Sequence, residues 1–95
     1  MKFLAKILPD TLLIDDTCID STVPLIKDHQ IFGDVIGSVH IIENNEAIIE
    51  SDAIKVGDKL SAGSFVILGK HEVREVSLVE NPKFQDCEVL IQLDD

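Results

Sequence analysis

The sequence predicts a mainly β protein with little helix, a small barrel or sandwich of about seven or eight short strands. Three observations carry that expectation. The apolar content rests on Ile, Leu and Val, with no Trp or Tyr, and Ile and Val favour extended backbone. Short apolar runs alternate with turn residues along the whole chain. The last run, residues 88–93 (EVLIQL), sets Val89, Ile91 and Leu93 against Glu88, Leu90 and Gln92, the period of a strand with one face in a core. Ninety-five residues suggest one domain, 1–95, with a single modest core.

Taken in order, residues 3–8 (FLAKIL) read as the first strand, ended by Pro9-Asp10, and Leu12-Leu13-Ile14 resumes it. A polar loop follows. Its aspartates Asp15, Asp16 and Asp20 lack the glycine and terminal glutamate of an EF-hand, so they read as loop carboxylates. Residues 23–26 form a short strand left by the turn Lys27-Asp28-His29-Gln30. Residues 35–42 (VIGSVHII) are strand-like, with Gly37 marking a bulge or a close backbone approach. Glu43-Asn44-Asn45-Glu46 is a hairpin turn, because asparagine tolerates left-handed backbone, and residues 47–51 return as its partner strand. Residues 52–55 have room for one helical turn before Gly57-Asp58. Residues 60–82 then read as two strands joined at Gly69-Lys70, broken by Asn81-Pro82.

Eighteen acidic residues against eight basic ones give a formal net charge of −10, a field that repels phosphate backbones and anionic lipid. Nucleic acid and membrane surfaces are therefore excluded as expected partners, and a basic protein surface fits better. Cys18 and Cys87 lack zinc-site spacing, and no metal or cofactor is expected. Buried free thiols are the default, with a single disulfide between them left open. The opening residues 1–10 are too short for a signal segment or a membrane span, so a soluble, intracellular protein is expected.

The chemistry gathers in three places. Glu75 stands in an apolar strand, where a carboxylate is costly without a partner. His29 lies in the turn after residues 23–26, and Ser64 follows Gly63. Serine, histidine and carboxylate on separate strands are the raw material of a nucleophilic triad. A plainer reading makes His29 and Ser64 exposed turn residues and pairs Glu75 with Arg74 or Lys70. His40 and His71 have no motif around them and are expected at the surface.

Three segments resemble those of tailed-phage prohead (capsid maturation) proteases, a family whose barrel fold is shared with the herpesvirus assemblins. Val23-Pro-Leu-Ile-Lys-Asp-His29 with Val35-Ile-Gly37 is similar to the family's P-L-L-x-x-H-D … I-G segment. Leu60-Ser-Ala-Gly-Ser64 is similar to its L-S-G-x-S-I-G nucleophile segment, and Arg74-Glu-Val-Ser-Leu-Val-Glu-Asn-Pro82 to its x-E-V-S-L-V-x-x-P strand. The resemblance implies a small closed or partly open barrel of about seven short strands. Residue by residue it makes Ser64 the nucleophile, His29 the general base and Glu75 the third member. Val66 stands where the family has a glycine two residues after its nucleophile, with Phe65 between, and the pair is expected to crowd the site. The chain is also shorter than the family's usual members and lacks room for their helices. The leading functional expectation is therefore a non-catalytic auxiliary or decoration protein of a phage virion. Its partners would be the major capsid protein or other virion proteins, with homo-oligomers allowed. The alternatives are a minimal active capsid-maturation serine protease and a generic β-barrel binding module.

Overall fold

The computed structural model describes residues 1–94. Eight strands follow in order: β1 Lys2–Lys6, β2 Leu13–Ile14, β3 Thr22–Lys27, β4 Gly37–Ile41, β5 Glu46–Glu50, β6 Lys59–Ile67, β7 Lys70–Val79 and β8 Val89–Gln92. Among the described residues the one helical element is a 3-10 turn, Asp16–Cys18, whose N-cap Asp15 accepts from the Thr17 N–H. It sits in the expected loop, and the helical turn expected at residues 52–55 does not form. There the Asp58 carboxylate takes the Lys55 N–H, the donor that would close a first helical turn onto the Ser51 carbonyl.

Strand β7 organises the sheet. Strand β6 pairs antiparallel along its whole length, from Lys59↔Val79 to Ile67↔Lys70. The other edge of β7 takes two parallel neighbours, β2 at Lys70–His71 and β3 at Val76–Leu78. From β3 the path continues antiparallel through β4, β5, β1 and β8. The sheet is open. Its end strands β8 and β6 meet at one isolated bridge, Lys59↔Glu88, with no ladder between them.

Alternation explains the core. Phe3 and Ala5 of β1 point inward while Lys2, Leu4 and Lys6 lean out. Phe3, Leu25, Val39, Ile41, Ile49, Leu60, Val76 and Val89 are fully buried. Each such side chain stabilises the fold by about 1.5–3 kcal/mol. Ile7 and Leu8, expected within β1, are buried beyond its end, where Ile7 N–H donates to the Asn45 carbonyl. Asn44 and Asn45 are both left-handed in the β4–β5 turn, as expected, and the buried Asn45 amide donates to the Pro9 and Leu12 carbonyls. Residues 35 and 36 stay outside β4, although Ile36 N–H donates to Leu25. Gly37 is a close approach: a Cβ there would press on the Glu50 carbonyl and the Ser51 side chain. Cys18 and Cys87 are both buried and free.

One irregularity decides what β7 presents. Gly63 faces Glu75 across the ladder, but the next residue of β6, Ser64, faces Val73, which leaves Arg74 as an extra residue in β7. In a regular strand Val73 and Glu75 would share a face. The bulge changes that parity, so Val73 and Val76 both reach the core while Glu75 turns to the opposite side.

Candidate functional site

Glu75 and Ser77 lie on that opposite face of β7, and Gly63 and Ser61 oppose them on β6. The fourth component arrives from β3. After Lys27 the chain folds back over the end of β7 through Asp28 and His29, both left-handed, with φ of 49° and 57°. Two hydrogen bonds hold that turn down: Asp28 N–H to the Leu78 carbonyl at 3.2 Å and His29 N–H to the Ser77 hydroxyl at 2.9 Å. Non-glycine residues seldom adopt such backbone unless their surroundings impose it.

The fold thereby sets the His29 ring between two side chains. Nδ1 lies 2.5 Å from Glu75 Oε1, and Nε2 lies 3.1 Å from the Ser61 hydroxyl. Ser77, fully buried, donates to the other carboxylate oxygen, Oε2, at 2.9 Å. Glu75 is thus buried with each oxygen engaged, which removes the penalty a lone carboxylate would carry. Its side chain is 11% exposed against 44% for His29, so the imidazole bridges a shielded carboxylate and an accessible hydroxyl. A groove of about 450 Å³, lined by Asp28, His29, Val79, Glu80 and Asn81, opens beside the ring. On the other flank a small cavity of about 50 Å³ has Leu60, Ser61, Ala62, Ser64, Phe84 and Cys87 among its lining residues.

Of the residues expected from the sequence, the structure brings His29 and Glu75 together. The hydroxyl that faces them is Ser61's, not Ser64's. Side chains alternate along a strand, so Ser64 shares the face of Leu60 and Ala62, opposite to that of Ser61. Its hydroxyl meets Nδ1 of His71 at 3.1 Å, which also gives His71, half-buried, a partner that the sequence did not suggest. Phe65 and Val66 do not crowd the site. They project into solvent at the far end of β6, where Arg74 lies over the Phe65 ring at 5.1 Å. Arg74 pairs with Glu72 rather than with Glu75. Sequence reasoning missed Ser61 and Ser77, although a signal was present: Ser77 is two residues from Glu75 and shares its face, and Ser61 opposes Ser77 once the β6–β7 hairpin closes at residues 68 and 69.

Chemically, the arrangement is a hydroxyl, an imidazole and a carboxylate in sequence, with the imidazole nitrogens in the order that general-base activation of the hydroxyl requires. No family model matches the chain, and no curated protein or solved structure matches it either.

Proposed function

We propose that this chain is a serine endopeptidase of the prohead-protease kind, with Ser61 as nucleophile, His29 as general base and Glu75 as the carboxylate that orients the imidazole. The observation that carries this reading is the His29 ring held between Ser61 and Glu75, with Nε2 toward the hydroxyl and Nδ1 toward the acid. In the reaction, Ser61 Oγ bonds to the scissile carbonyl carbon while Nε2 takes its proton. The C–N bond breaks as the amine leaves with that proton. A water then gives a proton to His29 as it attacks the acyl-enzyme, the acyl–Oγ bond breaks to release the acid, and the proton returns to Ser61 Oγ. The substrate class is virion structural protein, on the resemblance of residues 23–82 to the capsid-maturation segments. The same resemblance supports reading the strand path, whose ends touch at Lys59 and Glu88, as an incompletely closed barrel of that family.

Strand β6 also offers a way to hold an extended peptide. Leu60 N–H points away from β7 and donates to the Cys87 carbonyl. By alternation the same outward edge continues at Ala62, Ser64 and Val66, where no backbone partner is found among the described residues. A free edge that begins beside the nucleophile can take a substrate strand by main-chain pairing.

The non-catalytic decoration reading has one observation in its favour: the exposed apolar run from Phe65 to Leu68, which suits a capsid contact. It gives no reason for holding His29 in left-handed backbone over a buried carboxylate. A fluorophosphonate probe separates the two. The peptidase reading expects covalent labelling of Ser61 in the unmodified chain, loss of labelling in Ser61→Ala and in His29→Ala, and retention in Ser64→Ala. Absence of labelling in the folded chain rejects the peptidase reading. Labelling that persists in Ser61→Ala rejects the assignment of the nucleophile.

A further inference from the structure

From the hydrogen bonds around Ser77 we infer that this residue is a positioning residue of the site, one that fixes both the tautomer of His29 and the backbone from which its ring projects. The inference rests on the reading of Ser61 as nucleophile and extends it to a residue that touches no substrate.

A serine hydroxyl has one proton to give. Ser77 is completely buried, so water does not compete for it. Its oxygen lies 2.9 Å from Glu75 Oε2, 2.9 Å from the His29 backbone nitrogen and 3.4 Å from His29 Nδ1. The His29 N–H can only donate, so the Ser77 oxygen is its acceptor. An ionised carboxylate can only accept, so the Ser77 proton goes to Glu75. Nothing remains to donate to Nδ1. That nitrogen stands 2.5 Å from Glu75 Oε1, an approach between two acceptors unless a proton lies between them. The proton therefore belongs to His29, in the Nδ1–H tautomer. Nε2 is left with its lone pair toward the Ser61 hydroxyl at 3.1 Å, as a general base must have it.

Position in the sheet gives Ser77 this reach. It is the cross-strand partner of Ser61, it shares a face with Glu75, and the turn carrying His29 folds onto it. One buried hydroxyl thus lies against both Glu75 and His29, directly across the ladder from Ser61. Removing it frees Oε2 to turn and to accept a second donor. It also leaves the His29 N–H without an acceptor, so the left-handed turn loses one of its two ties.

The test compares Ser77→Ala, Ser77→Thr and Ser77→Val with the unmodified full chain by two readouts. The first is the rate of fluorophosphonate labelling at Ser61. The second is the ¹⁵N chemical shifts of the His29 ring, which distinguish Nδ1–H from Nε2–H without any substrate. Threonine and valine have nearly the same shape, so any cost of filling the buried site is common to both and only the hydroxyl differs. The expected result is Nδ1–H with labelling near the unmodified rate for Thr. For Ala and Val the expectation is a mixed tautomer and labelling slower by about 10- to 100-fold. A folded Val variant that labels at the rate of the Thr variant and shows the same tautomer overturns the inference. An unmodified chain that shows the Ser77-dependent tautomer yet takes no label upholds the role of Ser77 and removes the peptidase reading instead.

Discussion

Gly63 stands directly across the ladder from Glu75, and the Glu75 carboxylate occupies the space where a side chain on residue 63 would begin. The glycine is there for room. An added Cβ would overlap Oε1, the oxygen that holds His29.

Gly63→Ala should therefore damage the site more than the fold. The carboxylate must rotate away, which breaks the contact to Nδ1 and leaves a buried acid with one partner fewer. A displacement of about 1 Å in such a group costs on the order of 100-fold in rate, so labelling of Ser61 should fall by roughly that factor. Overpacking typically costs about 1–3 kcal/mol, which thermal melting would register as a moderate loss. A variant that melts lower yet labels at the original rate would show that Glu75 is not needed where it stands.

Ser64 provides the contrast. Its hydroxyl belongs to His71 on the other face of the hairpin, so Ser64→Ala should leave labelling unchanged. The loss of one half-buried hydrogen bond predicts a stability decrease of about 0.5–1.5 kcal/mol, measurable by urea titration. His71→Ala should cost a similar amount and be roughly non-additive with it, because both remove the same contact.

Most strands were legible because β composition, alternation and turn chemistry agreed. Alternation misled in the last one: of its expected core face only Val89 is buried, while Ile91 and Leu93 are exposed. Asn44-Asn45 marked one hairpin where it falls, and Gly69 marked the other, whose loop is Leu68-Gly69, one residue before the expected Gly69-Lys70. His29 and Glu75 were legible because each was conspicuous: a histidine at a strand exit, a carboxylate in an apolar run. The hydroxyl beside His29 is Ser61's, three residues from the expected Ser64, since both lie in one segment and only strand parity separates them. That parity rests on the register of β6 against β7, which the chain reveals only when the hairpin is closed. The bulge at Arg74 had no local signature either. It follows from the demand that Val73 and Val76 both enter the core while Glu75 stays out. Closure of the sheet was likewise beyond sequence reach, because it depends on whether β8 meets β6 along a ladder or at the single Lys59–Glu88 bridge.

Cys87 predicts an alkaline weakness. Burial, reinforced by the neighbouring Asp86, pushes its thiol from the ordinary 9.0 up to about 11. The folded state thus holds the proton more tightly than the unfolded chain. The stability from that preference is fully present below pH 9 and is lost as pH rises through 11. With a shift of this size the loss is on the order of 2–3 kcal/mol. Urea midpoints measured between these pH values should fall for the unmodified chain, and Cys87→Ala should flatten that slope while lowering stability throughout through its cavity. At neutral pH the folded chain should leave Cys87 unreactive toward a thiol reagent, since little thiolate is present and the side chain is 1% exposed.

Leu68 is the residue whose replacement should improve the fold. The β6–β7 hairpin turns through Leu68 and Gly69, with φ of 52° and 78°. Two consecutive left-handed residues in a two-residue loop make the tight hairpin turn for which Asn-Gly is the favoured pair. Leucine pays the steric penalty of left-handed backbone, about 1–2 kcal/mol, and gains nothing in return because its side chain is 98% exposed. Leu68→Asn should recover part of that, about 0.5–1 kcal/mol, or a rise of several degrees in Tm for a domain of this size. The turn lies at the opposite end of the hairpin from Ser61, across the whole length of β6, so fluorophosphonate labelling should be unchanged. An unchanged or lower Tm would mean that the leucine is held by something other than its own backbone, and the exposed run from Phe65 to Leu68 would then need a covering partner to explain it.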